Sequence, residues 1–391
     1  MSPRHKKAGK GEYAMSVHCV IDKEKFLDIL AGVQNVTNKK NTMAILSNIL
    51  LRLEESKLKI TATDTEVCLQ FSMDAEEMSA GSITLPSKKL YEIVKVSGSS
   101  TIEIKEMDNN WVTIKAGPST YNLAGMASVE YPEFPRYESE KGIKSPSVVF
   151  LELIDKTQYS IAGEQENIYS LTSALMDIEE RDDEALIRMV SSDGHRLSVM
   201  EKITGNEILK LKNDDGLILI PKRGIQEMKK YCESRDEIEI YLDGGQFFIG
   251  DGKSTLVIRL KGGEYPPYKS IIQSIEKKYQ VTVEREKFIE SLIRSDLFTR
   301  DAYHTIRIDL SKDCITLSSE NIELGSSKEE LPVSYEGEDL SLGFNCRYFI
   351  ETLEVMEGEK VHMHLDGKDS ACCFTSEADQ GFLSIIMPMN I

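Results

Sequence analysis

The feature that most constrains this chain is repetition, because its 391 residues carry one pattern about three times. The stretch Ile220-Pro221-Lys222-Arg223-Gly224-Ile225-Gln226-Glu227-Met228-Lys229-Lys230 reads as a short amphipathic helix opened by proline at its first position. At a helical period Lys222, Arg223, Gln226, Lys229 and Lys230 share one side, while Ile225, Met228 and Cys232 share the other. Leu85-Pro86-Ser87-Lys88-Lys89-Leu90-Tyr91-Glu92-Ile93-Val94-Lys95 repeats this pattern, with Lys88 in the place of Arg223 and Lys95 in that of Lys230. Phe344-Asn345-Cys346-Arg347-Tyr348-Phe349-Ile350-Glu351 repeats it more weakly and keeps Arg347.

Other landmarks recur in step. Tyr131-Pro132-Glu133-Phe134 returns as Tyr265-Pro266-Pro267-Tyr268, and Met387-Pro388-Met389 follows. Asp64, Asp193 and Glu320 each close an alternating apolar run, and Glu24-Lys25-Phe26 returns as Glu286-Lys287-Phe288. The shared interval is roughly 120–135 residues, too long for a solenoid repeat and right for tandem domains.

The expected organisation is therefore a polar, basic extension over 1–14 and three domains over 15–143, 144–278 and 279–391. Alternating runs predict strands at 48–54, 58–63, 67–73 and 81–85 in the first domain, with later ones at 168–175, 187–191 and 196–202. Asp22 is the expected cap of an early helix, a second-domain helix is expected around 152–162, and Lys144-Ser145-Pro146-Ser147 reads as a linker. Two helices and several strands per unit make the class α+β.

Composition narrows the function. A formal net charge of −18 argues against nucleic-acid binding over the general surface, yet the repeated helices are locally basic, so charge is segregated. The seven cysteines form no CxxC pair and are expected to be mostly small buried apolar residues of a reducing compartment. No apolar run reaches the length of a bilayer span and no secretory signal is evident, so a soluble, cytoplasmic protein with no membrane association is expected.

Three motifs invite other readings. Gly250-Asp251-Gly252-Lys253-Ser254-Thr255 ends like a phosphate loop, but Phe247 stands where the first glycine belongs and a strand follows, so a hairpin turn is expected. Ser192, Asp193 and His195 supply hydrolase residue types, but three residues of one turn cannot place the base between nucleophile and acid. His362 and His364 share a strand face and could ligate a metal, yet no further ligand is evident nearby. A metal- or Ser/His-dependent hydrolase on a repeat scaffold is one competing function, and a scaffold that binds only peptides is another.

Taken together, the three equal repeats, the Leu/Ile-Pro-x-Lys/Arg helices, the Ser-Asp-Gly-His-Arg-Leu turn, the Tyr-Pro-x-Tyr junction and the Met-Pro-Met terminus resemble the bacterial β sliding clamps. These are the processivity subunits of DNA polymerase III, and the likeness covers about 15–391. It implies three tandem DNA-clamp (processivity-fold) domains in a head-to-tail homodimeric ring, with helices lining a central hole and antiparallel sheets outside. It further implies a non-catalytic protein without cofactor or metal, which encircles duplex DNA without sequence readout. Its partners would be the DNA polymerase III catalytic subunit, the clamp loader, translesion polymerases and repair proteins, held through short peptide motifs.

Carried over by position, the resemblance places DNA contacts at Lys40, Lys88, Gln165, Tyr169 and Ser170. The repeated basic positions add Arg223, Lys230 and Arg347. It places one part of a partner-peptide pocket at Leu171, Ser192, Gly194, His195, Arg196, Leu197, Pro266 and Ile271. Asn345, Tyr348, Ile385, Met387, Pro388, Met389, Asn390 and Ile391 make the remainder. For ring closure it sets Leu297 and Phe298 of one copy against Tyr121 and Leu123 of the other, without the arginines frequent in relatives.

Overall fold

The structure is a computed structural model that describes residues 16–37, 43–136, 142–165, 168–212, 216–299, 304–321, 323–368 and 370–390. Seven α-helices occur among them: α1 (Lys23–Thr37), α2 (Ser87–Val96), α3 (Ser147–Thr157), α4 (Lys222–Glu233), α5 (Tyr268–Gln273), α6 (Arg285–Asp296) and α7 (Cys346–Glu354). The extension 1–14 lies outside the described residues.

The helices pack in pairs, α1 on α2, α3 on α4 and α6 on α7, one pair for each copy of the sequence pattern. Phe26, Phe150 and Phe288 are each the fourth residue of α1, α3 and α6, and all three are completely buried. The partner helices bury the predicted core face: in α4, Ile225, Met228 and Cys232 have no exposed surface. Burial of this kind contributes about 1.5–3 kcal/mol for each large apolar side chain. The amide of Lys25 donates to Asp22 Oδ1 at 2.9 Å, so Asp22 caps α1 as expected.

The prolines sit one residue earlier than expected. Pro86, Pro146 and Pro221 end strands and stand at the N-cap, with φ of −56°, −60° and −61°. The ring fixes φ while ψ stays extended, so the strand ends and the next residue opens the helix, and the missing N–H costs no helix hydrogen bond because an amide at this position has no partner within the helix. Asn345 takes this place in the third copy, and its Oδ1 accepts the amides of Arg347 and Tyr348 at 2.9 and 3.2 Å. For the same reason Lys144-Ser145-Pro146-Ser147 is no linker. The strand Ile143–Pro146 pairs with Glu237–Ile240, with Ile143 and Ser145 turned inward, and α3 starts at Ser147, five residues before the predicted 152.

The chain packs as two compact units, Met1–Glu140 with Phe248–Ile258, and Lys141–Phe247 with Arg259–Ile391. The first holds a five-stranded antiparallel sheet with Ser119–Ala124 at one edge. It also holds the run of strands Gly81–Pro86, Asn48–Glu54, Lys57–Thr63 and Val67–Asp74, to which Ser254–Arg259 is added.

In the second unit one eight-stranded sheet carries the chain pattern from its second copy into its third. The join is the antiparallel pairing of Arg196–Thr204 with Phe382–Ile386. A separate four-stranded sheet ends at the edge strand Gly325–Pro332. The expected strand at 168–175 is instead a 3-10 turn over Tyr169–Thr172, followed by the strand Ser173–Arg181. Thr172 Oγ1 closes that turn on the carbonyl of Tyr169 at 2.7 Å, a side-chain to backbone bond that competes with strand pairing.

Six of the seven cysteines are buried and all are free thiols. Burial pushes the Cys19, Cys68 and Cys232 thiols up to about 12, which suits apolar packing and not reactivity.

Candidate functional site

The turn after the strand Glu184–Ser192 organises the junction inside the second unit. Ser192 Oγ donates to the Arg196 carbonyl at 2.7 Å, and Asp193 Oδ1 accepts the amides of His195 and Arg196, both at 3.0 Å. Gly194 reaches φ 91°, a conformation that favours glycine. The hydroxyl and the carboxylate are therefore spent on the turn, and no Ser-His-Asp relay exists here.

The first copy has the same turn without a histidine. Thr63 Oγ1 donates to the Val67 carbonyl at 2.9 Å, and Asp64 Oδ1 accepts from Glu66 and Val67 at 3.1 and 2.8 Å. In the third copy Asn321 Oδ1 accepts from Glu323 and Leu324 at 2.9 and 3.1 Å. The third landmark is thus Asn321 and not Glu320, whose side chain is exposed.

Arg196 is the hub. Its guanidinium reaches Asp193 at 2.9 Å, Glu351 of α7 at 2.5 Å and the Tyr159 carbonyl at 2.8 Å, and lies 4.4 Å over the Tyr348 ring. Burial works against its charge, but the Asp193 and Glu351 carboxylates outweigh it and raise the guanidinium above its ordinary value. His195 stacks on Tyr348 with ring centroids 6.5 Å apart. The terminal segment is strapped across the same place: the Met387 amide donates to the His195 carbonyl at 2.9 Å, and the Met389 amide to Gly343 at 2.8 Å.

Beside this polar hub lies an apolar cluster of Leu175, Val190, Leu197, Val199, Tyr268 and Ile385, with Ile271 and Ile272 of α5 partly covering it. Leu171 approaches Gly194, Pro266 and Pro388 are half-buried, and Met387 is 48% exposed at the rim. The junction residues thus gather at one place, with Asn390 exposed and Ile391 outside the described residues. Sequence reading missed Glu351, Tyr159 and α5. Helix α5 is only six residues long and follows two prolines, so no periodicity announced it.

The basic positions divide. Lys88 is exposed on α2, and Arg347 is 57% exposed on α7, 3.5 Å from Asp296. Arg223 is instead only 14% exposed and pairs with the buried Glu227 at 2.7 Å; Lys230 meets the same carboxylate at 2.9 Å. Lys229 pairs with Asp155 at 2.6 Å, and Lys222 donates to the Ile161 carbonyl at 2.9 Å. The uniformly basic face expected of α4 is therefore charge-compensated, because Glu227 falls within one helical turn of both Arg223 and Lys230.

Tyr169 is 65% exposed with Lys261 Nζ 4.4 Å above its ring, and Gln165 is exposed. Ser170 is buried, which leaves it little surface to offer a ligand. Lys40 lies outside the described residues. Tyr121 and Leu123 sit half-buried on the edge strand Ser119–Ala124. Leu297 projects just past α6 at 69% exposure, and Phe298 packs beside Gly325 at the start of another edge strand.

The remaining motifs resolve as structure. Asp251 Oδ1 accepts from Lys253 and Ser254 at 2.8 and 2.6 Å, a hairpin turn and not a phosphate cradle. His362 bonds Thr282 at 2.9 Å and His364 bonds Thr375 at 2.8 Å. Among the described residues no cluster of three His, Cys, Asp or Glu could hold a metal ion, and no helix is long and apolar enough to cross a membrane.

Paired helices backed by antiparallel sheets, repeated three times, with an apolar junction where the second copy meets the third, define a processivity-clamp fold. The chain belongs to the DNA polymerase III beta subunit family and is a sliding clamp. It matches that family's N-terminal domain over 17–135, its central domain over 145–267 and its C-terminal domain over 273–390. The beta sliding clamp of Pseudomonas putida is 27% identical over 378 residues, covering 96% of this chain and 100% of that one. The Vibrio cholerae clamp is 25% identical over 374 residues, 95% of this chain and 99% of its own length. Among solved structures, the Caulobacter crescentus beta sliding clamp aligns with a TM-score of 0.89 at 25% identity over 96% of this chain and all of that one. A Pseudomonas aeruginosa clamp bound to griselimycin aligns at 0.85 and 26% identity, over 96% and 100% of the two chains. A hydrolase reading finds no support in any of these.

Proposed function

We propose that two copies of this chain close head to tail into a ring around duplex DNA and, without catalysis of their own, hold the replicative polymerase on its template. The supporting observation is the threefold helix pair with exposed cations at matching positions, Lys88 and Arg347, in a chain of net charge −18. Such a lining attracts backbone phosphate without reading bases, and an anionic exterior discourages binding elsewhere. Gln165, Tyr169, Lys230 and Lys40 complete the proposed DNA surface.

Ring closure would pair the edge strand Ser119–Ala124 of one copy with Gly325–Pro332 of the other, burying Tyr121, Leu123, Leu297 and Phe298. Domain limits of 15–143, 144–278 and 279–391 follow the repeats. The junction of Leu197, Ile271, Ile385 and Met387 is an apolar pocket with few polar groups, suited to short peptide motifs. The polymerase catalytic subunit, the clamp loader, translesion polymerases and repair proteins would dock there, in the cytoplasm.

Light scattering tests the assembly: particles of twice the 44.1 kDa chain mass are expected, and a strict monomer at micromolar concentration would argue against a ring. Titration with a short apolar peptide tests the junction. Met387→Ala should weaken binding about tenfold, the loss of one well-packed side chain, and equal affinity for both proteins would place the peptide elsewhere.

A further inference from the structure

A cleft of the second unit that adjoins the peptide junction on the same sheet has a counterpart in the first unit, built from the same strand registers but lined with different chemistry. In the second unit a cleft of about 500 Å3 lies over Arg188, Val199, Tyr268 and Leu383. In the first a cleft of about 700 Å3 lies over Arg52, Lys59, Gln70, Phe134 and Thr255. The pairings coincide: Asp177 faces Arg188 where Arg52 faces Lys59, and Val199 faces Leu383 where Gln70 faces Thr255.

Their electrostatics differ in kind. Arg188 is neutralised inside its own cleft, by Glu179 at 2.5 Å, Glu201 at 2.8 Å and Asp177 at 3.6 Å. Arg52 and Lys59 are instead two like charges directly opposite on neighbouring strands, an arrangement that destabilises a sheet. The carboxylate between them, Glu54, stands 3.9 Å from Arg52 and 3.6 Å from Lys59, beyond hydrogen-bond range, and all three side chains are about half exposed. An anion placed over this pair would relieve the repulsion. The floor has also changed from Val199 and Leu383 to Gln70 and Thr255, polar side chains in place of apolar ones; Gln70 Nε2 donates to Thr61 Oγ1 at 2.9 Å, which leaves its carbonyl oxygen and the Thr255 hydroxyl toward the cleft. Arg136 and Glu133 line the rim.

We propose that the first-unit cleft is a second peptide site, specific for an extended acidic and polar segment. The choice of a peptide rests on the reading that the chain works by holding peptides; the charge and polarity of the ligand rest on the cleft itself.

The test uses the full chain and a fluorescent octapeptide of alternating Asp and Ser, followed by anisotropy. Binding is expected at low salt and should fall at least about tenfold in Arg52→Glu/Lys59→Glu, the scale of a lost charge-assisted contact. Gln70→Val/Thr255→Leu, which copies the apolar floor of the other cleft, should lose the octapeptide while keeping the fold. Met387→Ala should bind it as the parent chain does. No binding, or an affinity indifferent to both double substitutions, overturns the proposal. So does a duplex oligonucleotide that binds through Arg52 and Lys59 where the octapeptide does not. If apolar peptides fail at the Met387 junction while the octapeptide binds here, the function proposed for that junction fails and this site stands.

Discussion

Tyr265 donates its phenolic hydrogen to the carbonyl of Val190 at 3.3 Å, and Val190 lies three residues before the turn residue Asp193. Tyr131 makes the matching bond to Thr61 at 3.3 Å, three residues before Asp64. The repetition of sequence spacing thus extends to individual hydrogen bonds, which in the first two copies tie the Tyr-Pro segment to the strand that precedes the turn.

Removing either hydroxyl should cost about 1 kcal/mol, the net worth of one buried hydrogen bond. Tyr265→Phe and Tyr131→Phe are expected to lower the urea midpoint by similar amounts at unchanged slope. An unchanged midpoint in both would mean the bonds contribute nothing.

Thr65 holds φ 78° at the position where Gly194 holds φ 91°. A β-branched residue there is strained by roughly 1–2 kcal/mol, while glycine costs about 0.5–1 kcal/mol of added chain entropy. Thr65→Gly should therefore leave stability unchanged or raise it by up to about 1 kcal/mol, read by chemical denaturation. A clear loss would show that the threonine is not strained.

Much of this is legible in the sequence. The positions of Phe26 and Phe288, the cap at Asp22 and the apolar face of α4 follow from period and residue type alone. What escaped depends on burial, turn chemistry and strand register. Nothing local in Lys222-Arg223-Gly224 says that Glu227 is buried and claims both Arg223 and Lys230. Glu320 matches Asp64 and Asp193 in charge, but the turn needs a short side chain that accepts two amides, and Asn321 is the residue that does so. The contrast between Arg52 opposite Lys59 and Asp177 opposite Arg188 exists only once the strand register is known.

The pairing of Arg223 separates two kinds of charge reversal. Lys88→Glu and Arg347→Glu change exposed side chains and should weaken DNA retention, with stability within about 0.5 kcal/mol of the parent. Arg223→Glu faces a new carboxylate toward buried Glu227 and should cost about 3–5 kcal/mol. Thermal melts beside DNA retention assays distinguish them; a fully stable Arg223→Glu protein would contradict the buried pair.

His364 is mostly buried, and loss of solvent pushes its imidazole down to about 4, with Lys277 and His362 adding to the effect. The unfolded chain titrates near 6.5, so between those values it binds a proton that the folded chain refuses. Stability is therefore fully present above about pH 6.5 and falls as pH drops toward 4, by a few kcal/mol at most. His364→Asn should flatten that part of the melting-temperature profile, while an unaltered profile would assign the acid sensitivity to other groups.

The central claim is that the chain holds DNA by encirclement, and retention on closed circular DNA tests it most directly. Loaded onto a covalently closed circle and washed at high salt, the protein should remain bound, and cutting the circle once should release it. Dissociation from the intact circle as fast as from the cut one would mean that only surface charge holds the DNA, and would contradict the ring.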